Sequence, residues 1–233
     1  MKIITWNCNM AYRNKANAIL VLQPDIVVVQ ECENPEKLKF PPGTPEPADM
    51  IWYGDNPNKG VGVFSYGNYR FKLHKSHNPE FKTILPIEVT GGDTDFLLFA
   101  VWANNPQDKK FQYVGQIWKA VHWYDKLLKK PAIWTGDFNS NTIWDKPKRE
   151  GNHTALVKFL AERKIHSAYH RFYDHQHGAE AHPTYFLYRH EAKPYHIDYC
   201  FSSKHFELEH VEVGAYANWR AHSDHKPIIV TYK

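Results

Sequence analysis

Apolar positions in this chain gather in short runs broken by glycine, proline and asparagine, a rhythm that favours strands over long helices. Residues 3–8 alternate around β-favouring side chains and predict a strand. Ile26-Val27-Val28-Val29 is a continuous β-branched run, the signature of a strand covered on both faces. Further strands are predicted at 50–53, 62–66, 69–73, 84–89, 96–102 and 132–135, with late ones at 184–188, 196–201, 206–213 and 228–232.

Helical spacing is scarcer. Residues 14–22 carry it up to Gln23-Pro24-Asp25, and 154–163 form a second candidate. The longest is 111–129, with Val114, Ile117, Trp118, Val121 and Leu128 along one face and lysines elsewhere. The stretch 34–46 is rich in proline and charge and is read as loop. Two antiparallel-rich sheets packed face to face with helices outside satisfy this pattern, whereas a doubly wound parallel sheet needs more helices. With 233 residues and neither repeat nor low-complexity linker, a single domain spanning 1–233 is expected.

Composition excludes whole classes. Hydrophobic residues make up 42% and charged residues 23%, which rules out a disordered or fibrous design. The net charge of +4 is compatible with a polyanionic substrate but lacks the dense basic stripe of a dedicated nucleic-acid binder. Cys8, Cys32 and Cys200 are odd in number and show no CxxC spacing, so they are read as buried free thiols in a reducing compartment. The N-terminus enters a strand at once, with no signal peptide and no membrane span. A cytoplasmic location is therefore expected, with no membrane and no protein partner implied.

Polar residues then stand out by position. Trp6-Asn7-Cys8-Asn9 closes the first strand, Gln30-Glu31 the second, and Gly136-Asp137-Phe138-Asn139-Ser140 follows Ile133-Trp134. His196-Ile197-Asp198-Tyr199 lies in a late strand and Ser223-Asp224-His225 precedes the last one. Any one of these could be a turn residue or helix cap. Five at strand ends imply one shared rim. Mg²⁺ and Mn²⁺ prefer hard oxygen ligands, which Glu31 and Asp224 can supply. Asp137 is suited to orient or deprotonate a water, and Asn7 and Asn139 to act as neutral donors. His225 can donate to a phosphate oxygen if Asp198 holds its other nitrogen.

Taken in order, Thr5-Trp6-Asn7, Gln30-Glu31, Gly136-Asp137-Phe138-Asn139, Ile197-Asp198-Tyr199 and Ser223-Asp224-His225 resemble the endonuclease/exonuclease/phosphatase superfamily, which includes DNase I and exonuclease III-type enzymes. The resemblance implies a four-layer α/β sandwich of two mixed, mostly antiparallel sheets, and a Mg²⁺- or Mn²⁺-dependent phosphoester hydrolase. By the same resemblance Glu31 is the direct metal ligand, with Asp224 on the metal side and Asn7 near metal and phosphate. Asp137 aligns the nucleophilic water, Asn139 contacts phosphate, and Asp198 partners the catalytic His225. One member departs. Where relatives place a His or Tyr before the long helix, this chain offers Trp102 or Asn104, and Trp102 can equally be a packing residue.

Within that superfamily a nuclease acting on DNA is favoured over an RNase, over a phosphatase or phosphodiesterase on a small or lipid phosphate, and over a catalytically silent binding module. Tyr195-His196 stands where abasic-site enzymes carry Trp-Arg, which argues against that specificity. Lys146, Lys148 and Arg149 follow the GDFN motif and are either a solvated turn or phosphate-backbone contacts. His182 and Tyr185 flank Pro183-Thr184 and are candidates to line the cleft. His175-Gln176-His177 could bind a soft metal, but without cysteines it is read as a loop.

Overall fold

The computed structural model describes residues 1–104 and 109–233. The first six-stranded sheet contains β1 (Lys2–Asn7), β2 (Ile26–Cys32), β3 (Asp49–Asn56), β4 (Lys59–Ser65), β13 (Leu208–Val213) and β14 (Ile228–Tyr232), in the order β13-β14-β1-β2-β4-β3. The second contains β5 (Arg70–Leu73), β6 (Ile84–Thr90), β7 (Phe96–Trp102), β8 (Ala132–Asp137), β9 (Ile165–Ser167) and β12 (Asp198–Ser203), in the order β5-β6-β7-β8-β12-β9. A two-stranded ribbon pairs β10 (Tyr185–Phe186) with β11 (Pro194–Tyr195). Each large sheet holds one parallel pair, β1 with β2 and β7 with β8; its other pairings are antiparallel.

Side-chain alternation builds the layers. Ile3, Ile26, Val28, Val61 and Val63 of the first sheet share a core with Leu98, Ala100, Ile133 and Cys200 of the second. The intervening residues face outward. Ile4, Trp6, Val27 and Val29 pack under α1 (Ala16–Leu20) and Trp219 of α5 (Tyr216–Trp219). Phe99, Val101, Trp134, Tyr199 and Phe201 pack under α2 (Val114–Trp123) and α3 (His153–Glu162). The central strands are thus apolar on both faces, which is why they appear in sequence as unbroken runs. Each fully buried Val, Ile, Leu or Phe contributes about 1.5–3 kcal/mol, so strand order is set mainly by these faces. The sandwich of two mixed sheets with few, outer helices is the architecture the strand pattern predicts.

Several boundaries differ. The helix expected over 111–129 ends at Trp123, and a separate 3-10 stretch runs Asp125–Lys129. The break falls at Tyr124, whose ring is buried against Phe81 and Phe99 while its hydroxyl accepts from the Asn78 amide at 3.1 Å. The strand expected over 184–188 shrinks to Tyr185–Phe186, because Leu187–Arg189 turns through Tyr188 at φ 55. A short helix, α4 (Ala168–Tyr173), went unpredicted among the histidines. The three thiols are free and buried, and burial pushes each of them up, Cys200 to about 11. Among the described residues no helix is long and apolar enough to cross a membrane.

Candidate active site

Strand direction brings the polar motifs to one rim. Because β1 and β2 are parallel, Asn7 and Gln30 finish side by side. Because β7 and β8 are parallel, Trp102 and Asp137 do the same. β12 runs antiparallel to β8 and begins with Asp198 opposite Asp137. β14 runs antiparallel to β1, so the segment before Ile228 returns toward Asn7.

Two backbone features aim the side chains. The β2–β4 register slips between Gln30↔Val61 and Cys32↔Gly60, leaving Glu31 as the extra residue of a bulge at φ 56. A regular strand would point Glu31 the same way as Val29, into the outer core. The bulge turns its carboxylate to the half-exposed rim instead. Gly136 sits at φ 144, and a Cβ there would lie 1.8 Å from the Val101 carbonyl oxygen. Only glycine lets β8 press so closely on β7 just before Asp137.

Asp137 is the hub. Its Oδ2 accepts from Asn7 Nδ2 at 3.1 Å and Asn139 Nδ2 at 3.0 Å, and its Oδ1 accepts from the Asn139 amide at 2.9 Å. Burial, reinforced by the negative charge of Asp198, pushes its carboxyl up to about 7 against the pull of His225 and the amide donors. His225 lies across from it, Nε2 4.0 Å from Asp137 Oδ2 and Nδ1 2.9 Å from Asp198 Oδ2. Burial opposes charge on this imidazole, but Asp198 and then Asp137 override it and hold it up at about 10. The Tyr185 ring packs on His225 with centroids 4.6 Å apart.

The amides of Asn7 and Asn139 are already engaged. Asn7 Nδ2 also approaches Glu31 Oε1 at 3.4 Å, and Asn139 Nδ2 also donates to the Ala103 carbonyl at 3.0 Å. Both side chains therefore serve here as a cradle for Asp137 rather than as free donors to phosphate. Asp224 Oδ1 accepts from Asn9 Nδ2 at 3.1 Å, and the Asn9 amide donates to Asn7 Oδ1 at 3.0 Å. Asn9 was passed over in the sequence although it closes the same Trp-Asn-Cys-Asn motif.

Two hydroxyls lock this arrangement. Ser223 Oγ donates to the Asn7 carbonyl at 2.7 Å and accepts from the His225 amide at 3.0 Å. Thr184 Oγ1 accepts from the Ile197 and Asp198 amides at 3.0 and 3.1 Å, and Thr184 is wholly buried. Replacing Thr184 by Val keeps the shape and strands both amides. The expected cost is about 1–3 kcal/mol of stability, read as a lower urea midpoint with an unchanged m-value.

The remaining candidates are spread out. Trp102 is buried in the inter-sheet core, with Lys59 Nζ 5.7 Å from its ring centroid. Asn104 Nδ2 is taken by Thr83 Oγ1 at 2.7 Å and the Trp102 carbonyl at 3.2 Å, so it has no amide hydrogen left for phosphate. His182 turns away to Tyr169, its Nδ1 2.9 Å from that hydroxyl. Lys146 and Lys148 are exposed. Arg149 donates to the Gln112 carbonyl at 2.7 Å and lines, with Asn139, a cavity of about 290 Å³.

Asp137, Asp198 and His225 lie close enough for their donor atoms to surround an ion, all within 4.8 Å. His225 Nδ1 is spent on Asp198, however, so a hydrogen-bonded relay describes this trio better than a ligand set. The cation-deficient edge is beside it. Among the described residues neither Glu31 nor Asp224 forms an ion pair with a lysine or arginine, although Lys15 is near enough to Asp224 to feel its charge, and His225 faces Asp137 and Asp198. That hard-oxygen, negatively charged edge fits Mg²⁺ or Mn²⁺.

Comparison with known proteins agrees with the fold. An AP endonuclease from Archaeoglobus fulgidus superposes with a TM-score of 0.70 at 17% identity, covering 100% of this chain and 99% of the other. A 3'-5' exonuclease from Neisseria meningitidis gives 0.65 at 20% identity, covering 100% of both chains. TDP2 of D. rerio, complexed with single strand DNA product, gives 0.69 at 15% identity, covering 100% of this chain and 98% of that one. No curated protein matches the sequence directly. The family model for the endonuclease/exonuclease/phosphatase family matches residues 4–225, nearly the whole chain and every motif of the rim, and the chain belongs to that family.

Proposed function

We propose that this chain, as one domain, hydrolyses phosphodiester bonds of DNA with Mg²⁺ or Mn²⁺. The observation that carries this reading is the buried Asp137 carboxylate, cradled by two asparagine amides and facing a histidine that Asp198 fixes. Asp137, with a carboxyl raised toward neutrality, takes the proton of the attacking water. His225, held protonated, presents its Nε2–H to a phosphate oxygen. Asp198 sets the tautomer and orientation of that ring. Glu31 and Asp224 would hold the cation, with Asn7 and Asn9 positioning them, and the cation would supply charge neutralisation on the phosphate.

DNA is favoured as substrate by the exposed Lys146 and Lys148, which enter no ion pair among the described residues and follow directly on the Asn139 loop. Similarly folded proteins have been captured with a product DNA hairpin and with single strand DNA product. The test is nicking of supercoiled plasmid with Mg²⁺ or Mn²⁺, alongside EDTA and a His225→Ala variant. Metal-dependent nicking that the variant loses by at least ~10² is the expected result. Folded protein that leaves plasmid intact but cleaves RNA or a small phosphate ester would overturn the DNA assignment and keep the hydrolase.

A further inference from the structure

A second cluster of metal-binding side chains lies on the far side of the Asn139 loop, and the proposed hydrolysis makes no use of it. His170, His177 and Glu180 offer donor atoms that all fall within 4.8 Å of one another. His170 Nε2 and Glu180 Oε1 are 3.1 Å apart. Two ligands on a tetrahedral ion with bonds of about 2.0–2.1 Å stand roughly 3.3 Å apart, so the pair is already spaced like a tetrahedral edge. The rings of His170 and His177 stack with centroids 3.5 Å apart, so one of them turns about its side-chain bonds when both nitrogens take a single ion.

Each of these side chains is also held by an outer partner, as metal ligands characteristically are. His170 Nδ1 meets Ser167 Oγ at 2.7 Å, which turns Nε2 toward Glu180. His177 Nδ1 meets His153 Nε2 at 3.2 Å, and the other nitrogen of His153 is held by Ser140 Oγ at 3.0 Å. Glu180 accepts from Asn141 Nδ2 at 3.1–3.2 Å and from the Gly178 amide at 3.1 Å. A further imidazole stands over the group. His196 is buried, its ring is 6.1 Å from His170, and its Nε2 has no hydrogen-bond partner among the described residues. A cavity of about 390 Å³ bordered by His166, His170, Asp174 and His177 gives access from solvent.

We propose that His170, His177 and Glu180 form a Zn²⁺ site, with water completing a four-coordinate shell. Two imidazoles and one carboxylate suit zinc, while Mg²⁺ prefers an all-oxygen set. The position assigns the ion a structural role. Glu180 binds Asn141, and His153 binds Ser140, so the ion ties the 167–182 segment to the residues directly after Asn139. It would hold the active-site loop from behind while a different cation works at the rim.

The test uses the full chain, stripped with a chelator and then titrated with Zn²⁺ against a chromophoric competitor in excess Mg²⁺, which occupies the oxygen-rich rim. One Zn²⁺ per chain is expected. His177→Ala and Glu180→Gln should each weaken it at least ~100-fold, while His175→Ala, outside the trio, leaves it unchanged. Zn²⁺ should raise the melting temperature of the wild type and not of His177→Ala. No zinc taken up by the wild type under Mg²⁺, or uptake indifferent to both ligand variants, overturns the site. Should those variants fail to fold, the wild-type Co²⁺ spectrum decides: strong visible bands of a four-coordinate ion support the site, and weak six-coordinate bands sink it.

Discussion

Asp137→Asn is expected to lower phosphodiester cleavage by at least ~10² and, in metal-free protein, to remove a component of the pH dependence of stability. The Asp137 carboxyl is raised from 3.8 to about 7, with burial as the main cause and the Asp198 charge next. The folded state therefore binds this proton more tightly than the unfolded chain. Its contribution to stability is complete below about pH 4 and is lost as pH rises toward 7. Asparagine does not titrate, so the difference in melting temperature between variant and wild type should move in the variant's favour across that window and then level off. The readout is this change with pH. The absolute value is offset, because the asparagine amide must point at the Asn139 amide donor or at the Asn7 and Asn139 side-chain donors. Added Mg²⁺ should restore wild-type stability near neutral pH. A difference that stays flat from pH 4 to 7 would show that Asp137 is ionised in the fold without penalty, and would overturn the raised carboxyl.

What was legible in the sequence follows from what each motif needed. Asn7, Glu31, Asp137, Asp198, Asp224 and His225 meet at strand ends, and strand ends can be read from the apolar runs before them. Their convergence needed the parallel pairs β1–β2 and β7–β8 together with the antiparallel returns of β12 and β14. Fine direction was not legible. The bulge at Glu31 is set by pairing with β4, some thirty residues away in sequence, and no local pattern announces it. Asn7 and Asn139 looked like free donors because a sequence does not show that one carboxylate, Asp137, absorbs both amides. His182 was misdirected for the same reason: Tyr169 lies on α4, a helix too short to show periodicity. The helix expected over 111–129 kept its apolar spacing through a 3-10 stretch, so only the buried Tyr124 ring marks the break.

Asp198→Asn should produce the largest catalytic loss that leaves the fold intact, on the order of 10³ or more, because it changes the charge behind His225 and little else. The side chains are nearly isosteric. Asp198 Oδ1 is buried with no hydrogen-bond partner among the described residues, so one arm of the new amide occupies a position that carried no such bond before, and its oxygen can still accept from His225 Nδ1. What disappears is the charge. Burial works against a protonated His225, and Asp198 is the strongest influence holding it up at about 10. In the wild type the imidazolium therefore persists through neutral pH, and its contribution to stability, whole below 6.5, is lost only as pH rises through about 10. Without the Asp198 charge, burial regains ground and the proton leaves at lower pH. The alkaline limb of kcat/KM should then move acidward by at least about one unit, together with the alkaline fall in melting temperature. Asp137 also loses a repelling neighbour, so the acid limb should move down in the same variant. The two limbs belong to a coupled pair, and the profile is to be fitted as such. A variant that loses rate while both limbs stay in place would reduce Asp198 to a packing residue, and His225 would then owe its protonation to Asp137 and Asp224.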